Sequence, residues 1–250
     1  MNRNFAIKLW KRALANGVCP VGKCVLMLVV VALVVTPDVF AQSSALEEKL
    51  AAVKQSAAAN QQKLHEYQWT ETMQLTLKGD QKPPTQYECQ YGPDGQVQKT
   101  LIGVPPPPPS GGRLKQRIIE KKEAEMKQYM QEVKSLLGMY VPPDAQKMQQ
   151  SFQAGKVSIN PAGGTVNLVF RDYAQPGDQM TLSFDRAAKK IASLDINTYM
   201  GEAKDAVKLQ VQMASLPDGT NYAQRTVLTA TAKNLVVTTT SSNYQKLAGY

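Results

Sequence analysis

Between Tyr67 and Leu77 apolar and polar residues take turns: Tyr67, Trp69, Met73, Leu75 and Leu77 fall on one side, and Gln68, Thr70, Thr72, Gln74 and Thr76 on the other. Successive side chains of an extended chain point to opposite faces, so this two-residue period predicts a half-buried antiparallel strand that stops at Gly79-Asp80. Only Glu71 breaks the apolar face. Immediately upstream the period differs. In residues 44–64, Leu46, Leu50, Val53 and Ala57 recur every three or four positions, Ser43 or Ser44 stands ready to cap, and Glu47 and Glu48 sit at the positive end. That is a helix. Downstream, TQYECQY and QVQKTLIG flank Gly92-Pro93-Asp94-Gly95, a turn sequence, and predict a hairpin over 85–103.

The next apolar period is helical again. Over 113–137, Leu114, Ile118, Met126, Tyr129, Met130, Val133, Leu136 and Leu137 form one stripe, ended by Gly138. A shorter helix, DAQKMQQSF, follows Pro142-Pro143. From Gly155 onward the chain is predicted to be strand after strand, at about 10-residue spacing with turn-like joints such as Gln175-Pro176-Gly177-Asp178 and Pro217-Asp218-Gly219. Several strands alternate cleanly, as Val207, Leu209, Val211 and Met213 do against Lys208, Gln210 and Gln212. No helix is expected after residue 153, which argues against a parallel α/β fold. The predicted class is α+β: a curved antiparallel sheet whose concave face is covered by the N-terminal helix and by a helical insertion at 113–153.

Prolines 105–109 and the Ser110-Gly111-Gly112 that follows join the two parts. As a polyproline II rod the prolines would span about 15 Å, and the flexible hinge would let the helix turn back across the sheet. The alternative is a plain solvated loop over 104–112.

The N-terminus speaks to compartment. Residues 1–23 carry Arg3, Lys8, Lys11, Arg12 and Lys23 and no acid; an apolar run from Cys24 to Val35, a breaker at Pro37 and the small-residue site Val39-Phe40-Ala41 follow. This order is that of a secretory signal peptide over 1–41, cleaved after Ala41, leaving 42–250 as a single exported domain in the periplasm or outside the cell. A retained anchor is the alternative, although a span needs about 20 apolar residues. Loss of the leader removes five named bases against Asp38 alone, so the whole-chain charge of +9 falls by roughly half. An exported chain does not meet genomes, so no nucleic-acid partner is expected. Only Cys89 survives cleavage, which leaves no internal disulfide and no cysteine metal site.

Chemistry for catalysis is missing from the pattern. His65 is the only histidine, which excludes the usual multi-histidine metal sites and leaves little room for a Ser-His-Asp arrangement. Neither a nucleophile elbow nor a phosphate-binding glycine loop occurs. Asp172, Asp178 and Asp185 lack the spacing of a calcium loop and are expected at turns and strand ends. No enzyme, metal or cofactor is expected.

What stands out is one apolar face. Trp69, Met73, Leu75, Leu168, Phe170, Met180, Leu182, Phe184, Leu209, Val211 and Met213 would all lie on it. So large an apolar surface must be covered or used, and Met and aromatic side chains adapt to flexible chains. These residues are the candidate ligand-binding set; for each, an ordinary core role is the alternative. The helix at 113–137 adds seven bases (Arg113, Lys115, Arg117, Lys121, Lys122, Lys127, Lys134) against Glu120, Glu123, Glu125 and Glu132. That composition fits either a solvated face or docking on an anionic membrane surface.

The helix-to-strand junction KLHEYQWTETMQLTLKG and the run VNLVFRDYAQPGDQMTLSFDRAAKKIASLDI resemble the periplasmic lipoprotein-carrier and lipoprotein-sorting (LolA-like) family, over about residues 44–245. The resemblance implies an incomplete β-barrel closed by helices, with an apolar hollow for the acyl chains of a lipid or lipoprotein. A scaffold or protein-interaction module of the cell envelope, suggested by the prolines, the basic helix and the Thr-rich VVTTTSSNYQ, is the alternative role.

Overall fold

The computed structural model describes residue 55 and residues 58–103 and 113–247. The leader, most of the N-terminal helix and the proline segment 104–112 lie outside the described residues. Described residues 58–64 are helical and form the end of α1. The chain then enters β1 (Tyr67–Leu77), a two-residue β2 (Asp80–Gln81), and the hairpin β3 (Thr85–Tyr91) and β4 (Val97–Ile102). Two helices follow, α2 (Arg113–Leu137) and α3 (Ala145–Gln153). Seven strands complete the chain: β5 (Val157–Ala162), β6 (Thr165–Arg171), β7 (Gln179–Asp185), β8 (Lys190–Tyr199), β9 (Ala206–Ser215), β10 (Asn221–Ala230) and β11 (Leu235–Lys246).

All strands join one antiparallel sheet in the order β4-β3-β1-β11-β10-β9-β8-β7-β6-β5, with β2 beside β1. Its ends, β4 and β5, do not pair with each other, so the sheet is an open, curved, incomplete barrel. Register shifts fall between Gln68 and Thr70, between Ala223 and Arg225, and between Ser183 and Phe184. Such bulges bend and twist a strand. All three lie toward the same end of the sheet, the end nearest α1. Pro161 blunts edge strand β5, where a missing N–H costs no ladder bond.

Alternation decides what the sheet buries. Leu168 pairs with Leu182, Leu182 with Leu194, Leu194 with Val211 and Leu209 with Leu228, so their side chains share the concave face. The helices divide this face between them. The second half of α2 sets Tyr129 and Val133 against Val207, Ala230 and Leu235. Tyr140, just beyond α2, and Met148 of α3 pack on Phe170, Met180, Leu182, Leu194, Ile196 and Leu209. Asp144 caps α3 by accepting from the Lys147 N–H at 2.9 Å.

One buried polar knot fastens this cover. The Tyr140 hydroxyl donates to Asp178 Oδ2 at 2.5 Å and lies 2.8 Å from Thr198 Oγ1. Asp178 also accepts from the backbone N–H groups of Tyr173 (2.6 Å), Ala174 (2.9 Å) and Gln175 (2.8 Å). A carboxyl with that many donors both shapes the β6–β7 loop and holds the α2–α3 junction against the sheet. Asp172, Asp178 and Asp185 thus occupy the turn and strand-end positions expected of them.

The remaining expectations differ in detail. Glu71, which breaks the apolar alternation of β1, is buried and paired with Lys99 of β4 on the same face. Thr231–Lys233 form a short 3-10 turn where the sequence suggested continued strand, and β11 runs on to Lys246. Within α2, residues 120–125 are exposed and Ile118 is 56 % exposed, so the first half of the helix overhangs the sheet. No helix among the described residues is long and apolar enough to cross a membrane.

Candidate functional site

The end of the concave face away from α2 and α3 holds the candidate site. Two turns and one helix build it. In the β7–β8 turn, Asp185 Oδ1 accepts from the N–H groups of Ala187 (2.8 Å) and Ala188 (2.9 Å), and Lys189 takes a left-handed backbone with φ 54°. The result places Lys189 and Lys190 side by side at the sheet's rim. In the β9–β10 turn, Asp218 accepts from the Thr220 N–H and hydroxyl, each at 2.9 Å, and from the Tyr67 hydroxyl at 2.9 Å. The Thr220 N–H is the main cause that lowers the Asp218 pKa, helped by the Thr220 and Tyr67 hydroxyls and by the charge of Lys63. The α1 helix is tied to the same turn twice: Asn60 Nδ2 donates to the Asn221 carbonyl at 2.7 Å, and the Asn221 N–H donates to Asn60 Oδ1 at 2.5 Å.

Between these walls lies a hollow of about 350 Å³, inside the usual size range of ligand pockets. Ala59, Phe184, Ile191 and Met213 give it an apolar floor. Lys63, Lys189 and Lys190 stand around it with Asn60, Gly219 and Asn221. Among the described residues that line it, none is acidic.

An aromatic cluster stands at the same end. Trp69 stacks on Tyr244 at 5.5 Å, Tyr244 meets Tyr222 at 4.4 Å, and His65 stacks on Tyr91 at 4.3 Å. Burial pushes the Tyr244 phenol well above its ordinary pKa and raises Tyr91 as well. His65 is thereby a packing residue, and its Nε2 has no hydrogen-bond partner among the described residues. Cys89 is 0 % exposed and burial raises its thiol pKa, so it sits inside β3 as a small core residue. Among the described residues no cluster of three metal-ligating side chains occurs.

The candidate ligand-binding residues share the concave face and fall into distinct zones. Phe184 and Met213 line the hollow. Met73, Leu75, Leu168 and Val211 are half-buried on the face. Phe170, Met180, Leu182 and Leu209 are core beneath the helical cover, and Trp69 belongs to the aromatic cluster. Lys63, Lys189, Asn60 and Asn221 were not legible as site residues, because no local pattern joins a lysine of α1 to the lysine pair of a distant turn. The double lysine after Asp185 was the only available signal.

On the opposite, convex face a second cavity of about 570 Å³ is lined by polar groups, among them Gln212, Tyr222, Arg225, Thr238 and Thr240.

The architecture is thus an open antiparallel sheet with helices over its concave face and an apolar hollow at one end. The chain is similar in fold to three solved structures. One is a DUF1329 family protein from Desulfovibrio piger, with 8% identity and a TM-score of 0.39, covering 83% of this chain and 94% of that one. Another, from Vibrio parahaemolyticus, is a domain ascribed to outer membrane lipoprotein sorting (11% identity, TM-score 0.38, 82% and 94% coverage). The third is a LolA superfamily protein from Nitrosomonas europaea (11% identity, TM-score 0.33, 78% and 94% coverage). No family profile matches the sequence, and neither does any curated protein.

Proposed function

We propose that this is an exported protein of the periplasm or cell envelope that binds a lipid-like molecule or a lipoprotein acyl chain, and that it is not an enzyme. The observation that supports this reading is the hollow floored by Phe184, Ile191 and Met213, beside the half-buried Val211 and Leu168 of the same face. Buried apolar area is the driving force for an acyl chain, at about 0.8 kcal/mol for each methylene removed from water. Export rests on the leader over 1–41. The overhanging first half of α2, with Arg117, Lys121 and Lys122 beside exposed Ile118, gives such a protein a docking face for anionic membrane surfaces.

Native mass spectrometry of protein purified from an envelope fraction, together with uptake of a fluorescent fatty acid, tests the proposal. A bound lipid or saturable uptake is expected. Absence of both overturns it.

A second reading, an envelope scaffold or protein-interaction module, is favoured by the polar convex cavity around Tyr222 and Arg225. Crosslinking in cells followed by capture would then return one specific protein partner in place of lipid.

A further inference from the structure

We infer that the ligand of the hollow is a single-chain amphiphile with an anionic head, held by Lys63, Lys189 and Lys190 while its chain lies on Phe184, Ile191 and Met213. This inference rests on the lipid-binding reading and adds the chemistry of the head.

The three lysines come from two separate elements, α1 and the β7–β8 turn, and converge on one hollow. None of them takes part in an ion pair among the described residues: the pairs found there are Glu71–Lys99, Asp172–Lys156, Glu202–Lys204 and Glu66–Lys246. The nearby acid, Asp218, is already occupied by Thr220 and Tyr67. Asp218, whose pKa the charge of Lys63 helps to lower, offsets only part of this charge, and a cleft lined by three bases and, among the described residues, no acid concentrates ions of the opposite sign. Lys190 is also pre-positioned, since its amine donates to the Gly219 carbonyl and to Ser215 Oγ at 3.3 Å. The paired Asn60–Asn221 bonds keep the α1 wall in place, so the rim charges and the apolar floor stay within one molecule's reach.

A volume of about 350 Å³ lies at the small end of ligand pockets, which favours one chain over several. The head chemistry is a carboxylate or a phosphate monoester, both of which accept charge-assisted hydrogen bonds from ammonium groups.

Displacement of the neutral fluorophore N-phenyl-1-naphthylamine from the exported protein tests this. The competitors share one chain and differ only in the head: dodecanoate, lauroyl lysophosphatidic acid and monolaurin. The anionic competitors are expected to displace the probe at about tenfold lower concentration than monolaurin, and the more potent of the two identifies the head. The preference shrinks at high salt. It is lost in the K63Q/K189Q double variant and retained in K63R/K189R; Lys190 is left intact because it also holds Gly219. Equal displacement by all three competitors, or a preference that survives K63Q/K189Q, overturns the inference and leaves the lipid-binding reading standing. Failure of the probe and every competitor to bind overturns both.

Discussion

Removing one hydroxyl tests how the helical cover is held. Tyr140→Phe keeps a ring that is 0 % exposed and deletes only its bonds to Asp178 and Thr198. After the substitution Asp178 retains three backbone donors, and Thr198 Oγ1 still accepts from Gln175 Nε2 at 2.7 Å. The Thr198 hydroxyl, which donates to Tyr140, loses that acceptor, so the loss is that of one hydrogen bond to a charged partner and one neutral bond, at least about 2 kcal/mol. Asp178→Ala is the harsher contrast. It strands three backbone N–H groups and the Tyr140 hydroxyl, and is expected to cost at least about 4 kcal/mol. Urea unfolding followed by far-UV circular dichroism measures both: with a slope of about 2 kcal/mol per molar, Tyr140→Phe moves the midpoint down by at least about 1 M. Hydrogen exchange at residues 138–144 should quicken in parallel, because local opening at the α2–α3 junction becomes easier. The alkaline limb carries a further signature. Burial, reinforced by Asp178, raises the Tyr140 phenol pKa above its ordinary value. The stability this contributes is complete below pH 10 and is lost as pH rises toward the folded-state value, because the unfolded chain releases its proton first. Tyr140→Phe should therefore lose stability less steeply above pH 10. A midpoint within about 0.3 M of wild type, at unchanged slope, would refute the assignment of this bond as the fastening of the cover.

Other perturbations probe separate parts of the fold. Met180→Ala empties a fully buried position under α3 and should cost about 2–5 kcal/mol in the same titration; a loss below about 1 kcal/mol would mean that the cover collapses freely onto the sheet. A double-mutant cycle on Glu71 and Lys99 should show coupling of about 1 kcal/mol, given that Glu71 is buried and Lys99 is partly exposed, and additive single mutants would remove the pair from the account of β4. Cys89 should stay unreactive toward a thiol reagent until urea unfolds the chain, and rapid labelling of the native protein would contradict its burial.

Periodicity carried most of the fold. Alternation at Tyr67–Leu77 and at Val207–Met213 is a property of neighbours two residues apart, so sequence alone assigned these strands and the face each one buries. The Asp144 start of α3 and the Gly138 end of α2 were equally local, since caps act within one helical turn. For the same reason Phe184 and Met213 were legible as members of an apolar face long before they could be assigned to a hollow.

Tertiary structure alone decided who meets whom. Glu71 looked like a flaw in β1 until β3 carried Lys99 of β4 onto its face, and Asp178 looked like a turn residue until Tyr140 came down on it. The run of β11 past Ser242 depends on a bulge at Asn243, whose φ of 54° breaks the simple alternation. Lys63 and the Lys189-Lys190 pair are brought together only because the Asn60–Asn221 bonds fix α1 beside the β9–β10 turn. Strand identity is written in short-range spacing; the charge around the hollow follows from register, bulges and helix docking, which link residues far apart along the chain.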